Sequence, residues 1–516
     1  MNYTKIVMLG VGLLSATGFA PLGWWPVTLA CVAVMLHFVR TAPTLKAGFA
    51  RGYWFGTGHF IVGLNWIAGS FAYQDSMPPW LGWVAVVLLS LYIAVYPALA
   101  AAAAWRLGRT SPAAFAGLFA GAWIITEWLR ATMFTGFAWN PLGVIWLPLD
   151  GVARAVVPWV GTYGLSGVTV FIAGGLMIGL PRWATAVRAR YDEGKGEWLS
   201  IAIGPAALAS FVVLGAYSMK YAVRSDKIPD SQPLLRIVQP NIGQQDKHIK
   251  AFDEVNFAKL KWLTGKPSPV PRLILWPEAA IPDYLEEEDW ARERIASLLG
   301  PRDMLLTGGT ALVYDRQGLL SAARNSVFSV TPGADLAARY DKAHLVPYGE
   351  YLALRWLLAP LGATRLVPGT VDFIPGPGAR SLTVPGFGKV GIQICYEIIF
   401  SGAVIDAANR PAFLFNPSND AWFGDWGPPQ HLAQARLRAI EEGITVVRAT
   451  PTGISAIINP QGRVVHSLPY QKAGYIEARL PKSDAPTLFA RYGNRLPFGL
   501  ALLFFALGIA LREKRR

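Results

Sequence analysis

Eight blocks of apolar sequence limit most tightly what this chain can fold into. They run roughly from Ile6 to Ala20, Trp25 to Val39, Tyr53 to Phe71, Leu81 to Trp105, Pro112 to Leu129, Gly161 to Leu180, Ser200 to Met219 and Leu496 to Leu511. A helix needs about 20 apolar residues to cross a bilayer core, so each block is a candidate span, with the first two and the last short for the task. Between the seventh and eighth lies a long polar stretch, and one soluble core cannot accommodate both kinds of sequence. The chain is therefore expected to be a polytopic α-helical membrane domain of about eight spans carrying an extramembrane domain. The expected boundaries are 1–223 for spans one to seven, 224–490 for the extramembrane domain, and 491–516 for the last span and a basic tail.

Charge placement orients these spans, because Lys and Arg in short loops stay on the cytoplasmic side. Arg40, Lys46 and Arg51 follow the second block, Arg106 and Arg109 the fourth, and Arg182, Arg188, Arg190 and Lys195 the sixth. Arg512, Lys514, Arg515 and Arg516 follow the eighth, whereas the loops after the first and third carry none and the loop after the fifth carries Arg130 and Arg154. Both termini are thus expected in the cytoplasm and the long polar segment on the far side, the periplasm of a bacterium. The first twenty residues also resemble a secretory signal, with Lys5, an apolar stretch and the small residues of "SATGFA". An uncleaved first span agrees better with the charge alternation.

The formal net charge of +14 has the same origin. Thirteen of the 47 basic residues are those just named after the second, fourth, sixth and eighth blocks. No basic stripe with interleaved stacking aromatics occurs, which argues against nucleic acid and for anionic lipid headgroups as the partner surface.

From Leu234 to Leu480 the pattern changes to alternating strand and helix signals, the mark of an α/β layered domain. Strand candidates are "LLRIVQP", "RLILWPE", "MLLTGGTALV", "NSVFSVT", "KVGIQICYE", "AFLFNPSND", "TVVRATPTGISAIINPQG" and "AGYIEARL". Helix candidates are "IKAFDEVNFAKLKWL", "EEDWARERIASLL" and "PPQHLAQARLRAIEEG". The flanking "RSDKIPDSQP" and "PKSDAPT" read as linkers.

Chemistry in such domains collects where strands end. There are two cysteines: Cys31 lies in the second span, and Cys395 lies in "VGIQICYEIIF" at the end of a strand signal. They cannot pair, and a free thiol kept in an oxidising compartment favours a chemical role for Cys395. "LILWPEAAIP" delivers Glu278 from a strand end, and "RYDKAHLVPYGEY" offers Lys342, His344 and Glu350. Taken singly, Glu278 reads equally as a helix-start carboxylate, and the loop residues as solvated charges. Together, a carboxylate base, a lysine and a cysteine would complete an acyl-transfer site. A cysteine-histidine pairing through His248, His344 or His431 stays open at this level, though none of these follows a strand as Glu278 does. No metal-ligand spacing and no cofactor motif is present.

"LILWPEAAIP", "YDKAHLVPYGEY", "GIQICYEIIF" and "SNDAWFG", in that order, resemble the nitrilase superfamily, and the flanking spans resemble its membrane-integrated branch, the bacterial apolipoprotein N-acyltransferases. The resemblance extends along essentially the whole chain. It implies an αββα sandwich with Glu278 as general base, Lys342 stabilising thiolate and oxyanion, and Cys395 as nucleophile. It further implies supporting roles for Glu350 and Glu397 and a substrate-binding role for Tyr396. The implied reaction takes an acyl chain from the sn-1 position of a phospholipid, usually phosphatidylethanolamine, as a cysteine thioester. The chain then passes to the N-terminal α-amine of a diacylglyceryl-cysteine apolipoprotein. The implied enzyme is a monomer of the bacterial inner membrane. "EYLALRWLLAPLGATRLV" and "NDAWFGDWGPP", with Trp422 and Phe423, are apolar and aromatic enough to meet lipid at headgroup depth. His248 stands where the family pattern leads one to expect an aromatic. Two other readings are a membrane-tethered amidase using the same triad, which eight spans exceed in need, and a transporter with a silent extramembrane domain. The transporter reading would rest on ionisable groups in the spans, chiefly His59 and Glu127.

Overall fold

The structure is a computed structural model describing residues 3–73, 77–192, 209, 213, 228–247, 249–362, 364–366 and 371–512, with side chains outside 180–192. The seventh apolar block, Ser200 to Met219, apart from residues 209 and 213, and the position of His248 lie outside the described residues. The chain divides into two compact units. One comprises Met1–Asn65, Trp83–Arg224 and Thr487–Arg516; the other comprises Trp66–Gly82 and Ser225–Pro486.

The first unit is helical. Its helices cover Tyr3–Ser15, Trp25–Arg40, Leu45–Gly63, Leu81–Ile93, Val95–Gly108, Pro112–Thr132, Asp150–Asp192, Leu488–Tyr492 and Arg495–Ala510. Three stretches, Leu81–Gly108, Pro112–Thr132 and Asp150–Gly179, are long and apolar enough to cross a membrane. Tyr3–Gly18, Trp25–Arg40 and Arg495–Ala510 are apolar but shorter. The third block differs from its expected extent of Tyr53 to Phe71. Thr44 caps the helix by accepting the Ala47 N–H at 3.2 Å, so it starts at Leu45, and it closes at Gly63. Trp66–Ser70 is a separate short helix that belongs to the other unit. The sixth block is also longer than its apolar core suggests. Its helix is interrupted at Gly161 (φ 67°, ψ −176°), and a Cβ there would lie 2.2 Å from the Phe489 ring, so only glycine serves.

The second unit is built on two six-stranded sheets. The first holds β1 (Leu234–Gln239), β2 (Arg272–Leu275), β3 (Met304–Tyr314), β4 (Leu320–Val330), β5 (Leu336–Asp341) and β12 (Gly474–Arg479), in the order β12-β1-β2-β3-β4-β5. The second holds β6 (Ser381–Val384), β7 (Gly388–Ile392), β8 (Phe413–Pro417), β9 (Val446–Ala449), β10 (Ala456–Ile458) and β11 (Val464–Ser467), in the order β11-β10-β9-β8-β7-β6. In each sheet three neighbouring strands run parallel, β1-β2-β3 and β7-β8-β9, and the remaining pairs are antiparallel. The helix Asp253–Thr264 buries Phe257, Leu260 and Leu263 against Ile274 of β2 and Trp276 just beyond it. Between the sheets, Gln239 at the end of β1 accepts the Ser455 N–H at 3.0 Å and the Thr450 hydroxyl at 3.2 Å. This is the expected sandwich, with helices outside two sheets. β5, β6 and β11 have no counterpart among the sequence's strand signals, because they are outer strands with exposed or charged positions such as Arg339, Thr383 and His466.

Candidate active site

Glu278 leaves the C-terminal end of β2, Lys342 follows β5 directly, and Cys395 lies three residues beyond β7. The two sheets thereby bring all three to one buried place: Glu278 is 6% exposed, Lys342 2% and Cys395 5%. Backbone fit explains the first placement. The β3 residue Gly308 donates its N–H to the Pro277 carbonyl at 3.2 Å and accepts the Ala280 N–H at 3.2 Å, so the Glu278 turn lies flat on it. A Cβ at Gly308 would come within 2.6 Å of the Glu278 Cα. The turn itself is tight, with Ala279 at φ 43°.

Two carboxylates hold Lys342. Its Nζ is 3.0 Å from both oxygens of Glu350 and 3.6 Å from Glu278 Oε1. Burial works against the ammonium charge, but Glu350, Glu278, Cys395 and Glu397 outweigh it and hold the pKa well above that of an ordinary lysine. Asn325 of β4 ties the carboxylates together, donating Nδ2 to Glu278 Oε1 at 2.7 Å and to Glu350 Oε1 at 2.8 Å. The Val346 N–H fixes Glu350 Oε2 at 2.8 Å. Glu278 Oε2 is buried with no hydrogen-bond partner among the described residues, which leaves one oxygen of this carboxylate open for a proton.

Cys395 opens a 3-10 turn, Cys395–Ile399, with φ 51°, a conformation that non-glycine residues adopt at a cost. Burial above all, and then the Glu278 carboxylate, raise the thiol's pKa well above its usual value, while Lys342 and the Asn419 N–H pull it down. The resting sulfur is therefore a thiol, and reaction requires a base to take its proton.

Glu397 joins the lysine loop to the cysteine turn. Its Oε1 accepts from the Tyr340 hydroxyl at 3.0 Å, the Ala343 N–H at 2.7 Å and the His344 N–H at 3.1 Å, and its Oε2 accepts the Ile394 N–H at 2.7 Å. Burial pushes its pKa up to about 7 against the pull of the Ile394 N–H and Lys342. Tyr396 is buried, its ring 5.2 Å from Phe400 in an edge contact. The His344 ring lies 3.9 Å from the Phe400 ring, so that histidine packs beside the turn.

Of the histidines open to pairing with the cysteine, His431 lies beneath it, in one layer with Asp420 and Arg448. His431 Nε2 lies 3.0 Å from the Cys395 carbonyl oxygen and its Nδ1 2.8 Å from Asp420 Oδ1. The histidine thus meets the Cys395 backbone and holds it from below. Arg448 Nη2 donates to Asp420 Oδ2 at 3.0 Å, and Nη1 donates to Asn416 Oδ1, whose amide in turn donates to the Gln393 carbonyl at 2.5 Å. Burial would raise the Asp420 pKa, but Arg448 and His431 bring it below the ordinary range. Seven residues after His431 on the same helix, Arg438 donates Nη1 to the Ile399 carbonyl at 2.9 Å. One helix thus pins both ends of the Cys395–Ile399 turn, since seven residues bring a side chain back to the same face two turns on.

Trp422 and Phe423 lie on the loop after β8. The Ser70 hydroxyl donates to the Trp422 carbonyl at 2.9 Å, and Tyr73 meets the Trp422 ring edge at 5.9 Å. Phe423 is enclosed, with ring centroids 4.6 Å from Trp66 and 5.6 Å from His431. Leu354, Trp356 and Leu357 of the other apolar loop are exposed, Trp356 by 77%.

Known proteins match both parts in the same order. The family model described as apolipoprotein N-acyltransferase N-terminal domain matches residues 11–175, and the carbon-nitrogen hydrolase model matches 234–487. An apolipoprotein N-acyltransferase of Rhodopseudomonas palustris is 33% identical over 99% of this chain and 95% of its own length. One of Bradyrhizobium diazoefficiens is 34% identical with the same coverage. Among solved structures, Saccharomyces cerevisiae Nit3, a member of branch 10 of the nitrilase superfamily, overlaps 50% of this chain and 93% of its own at 18% identity and a TM-score of 0.35, too slight a likeness to carry weight. With relatives of one name aligned along nearly its whole length and both family models in their order, the chain belongs to the apolipoprotein N-acyltransferase family.

Proposed function

We propose that this N-acyltransferase moves an acyl chain from the sn-1 ester of a phospholipid, phosphatidylethanolamine by preference, to the N-terminal α-amine of a diacylglyceryl-cysteine lipoprotein. The observation that carries this reading is the enclosure of Cys395 with a carboxylate, Glu278, that has one unbonded oxygen among the described residues, beside Lys342 held between Glu278 and Glu350. Glu278 takes the thiol proton, and the sulfur adds to the ester carbonyl. Lys342 offsets the negative charge on the oxygen of the resulting adduct. Collapse of the adduct breaks the bond to the glycerol oxygen, which leaves with the proton from Glu278. The amine of the second substrate then adds to the thioester, Glu278 takes its proton, and the sulfur departs to recover that proton as a thiol. Glu350 fixes Lys342, Glu397 holds the cysteine turn to the lysine loop, and Tyr396, Trp422 and Phe423 border the acyl path.

The same reading assigns 1–223 to spans one to seven, 224–490 to a catalytic domain facing the periplasm, and 491–516 to the eighth span and its cytoplasmic tail, in a monomer of the inner membrane. The alternation of basic loops supports it, as does the match of the first family model to the helical unit. The test supplies detergent-purified enzyme with phosphatidylethanolamine and a diacylglyceryl-cysteine peptide. Wild type is expected to yield the triacylated peptide, while Cys395→Ala and Glu278→Gln lose at least about a thousandfold in rate, as removal of an acting nucleophile or base does. Hydrolysis of the lipid with no acylated peptide would point instead to an amidase-like enzyme.

A further inference from the structure

The charge balance of the site leaves a task undone. Glu278 and Glu350 place two carboxylates against the single ammonium of Lys342, whose Nζ is occupied by both oxygens of Glu350 and approached by Glu278. The Arg448 guanidinium beneath the cysteine is likewise engaged, by Asp420 and Asn416. A phospholipid brings a phosphodiester anion to this place, and an anionic pocket repels an anion unless a cation meets it.

One cation has capacity to spare. Lys247 lies in the segment after β1, and its Nζ donates to the backbone carbonyl of Glu278 at 2.9 Å. That is its single hydrogen bond among the described residues, whereas an ammonium carries three donors. The bond places Lys247 on the backbone of the catalytic carboxylate, beside the group that faces Cys395. Resting on the reading of the site given above, we propose that Lys247 holds the phosphate of the donor phospholipid, setting the sn-1 ester over Cys395. Lysine suits this role as a point charge, since a phosphate oxygen can approach either unspent donor without a fixed fork. Burial lowers the Lys247 pKa to about 8 despite the opposing influence of Glu278 and Cys395, so the ammonium is charged at neutral pH and gains most when an anion arrives. The acceptor's diacylglyceryl-cysteine carries no phosphate, so Lys247 belongs to the first half-reaction.

The experiment compares two acyl donors that share the sn-1 ester and differ in the phosphate: dioleoyl phosphatidylethanolamine and dioleoylglycerol, in detergent micelles. Acylation of Cys395 is followed by intact mass for wild type, Lys247→Met and Lys247→Arg. The expected result is that Lys247→Met loses at least tenfold more kcat/KM with the phospholipid than with dioleoylglycerol, mostly through KM, and that Lys247→Arg recovers part of it. Transfer from preformed acyl-enzyme to the peptide amine is expected to slow far less. Equal losses with both donors would overturn the proposal by placing Lys247 at the bond-making centre. No loss with either donor would overturn it too. Wild-type acylation by either donor reports on the thioester separately, so failure of this proposal and failure of the underlying reading are distinguishable.

Discussion

Glu397 shows how much one side chain organises here. Its carboxylate gathers three backbone N–H groups and a tyrosine hydroxyl from two segments far apart in sequence. Its carboxyl ionises near pH 7 in the folded protein against 4.5 ordinarily. The folded state therefore holds the extra proton between these values, and stability from this group falls as pH rises from about 4.5 to 7, by about 3 kcal/mol. Thermal unfolding in detergent across that window should show a declining midpoint for wild type and a flatter dependence for Glu397→Gln. An identical slope in both would reject the assignment. Glu278, Lys342 and Cys395 were legible in the sequence because each follows a strand signal or sits in a recognisable motif. Asn325, Arg448 and Lys247 were not, because nothing local marks them; Asp420 lay within "SNDAWFG" and His431 among the histidines open to pairing with the cysteine, but neither carried a sign of its place beneath Cys395. Asn325 is one polar residue within a strand, and His431 opens an amphipathic helix, so their contacts with Glu278 and Cys395 exist only once the sheets are assembled.

At the scale of elements, β3 is as much a part of the site as the loops. Gly308 lets the Glu278 turn lie on the strand, and the atoms a Cβ would meet there are backbone, which cannot swing aside. Gly308→Ala should therefore cost about 1–3 kcal/mol of stability and displace Glu278. The expected result is at least a tenfold loss in acylation of Cys395, with a lowered unfolding temperature. Wild-type acylation in this variant would show that the turn is free to shift. The strands that carry the reacting groups were readable as apolar runs between turn residues. The outer strands were not, since β5 places Arg339 and Asp341 where a buried strand would carry apolar side chains and so reads as part of a loop. The third helix was misplaced for a different reason. Hydropathy follows apolar content through Phe60 and Trp66, whereas the helix is bounded by a Thr44 cap and a break after Gly63.

The whole molecule joins a helical unit, with three long apolar helices among its described residues, to a two-sheet unit that encloses a thiol, a carboxylate and a lysine. The division into membrane and α/β parts was legible because apolar blocks and alternating strand signals are properties of long windows. The linkage of Trp66–Gly82 to the α/β unit was not, because it depends on contacts such as Trp66 with Phe423 and Ser70 with Trp422. For an enzyme whose second substrate is an amine, the account turns on covalent capture of the acyl chain by sulfur. The decisive measurement is the intact mass of full-length enzyme in detergent after incubation with phospholipid and no acceptor. The expected result is an acyl-sized increase, removed by hydroxylamine, present in wild type and lacking in Cys395→Ala. A folded wild type that gains no mass would contradict it.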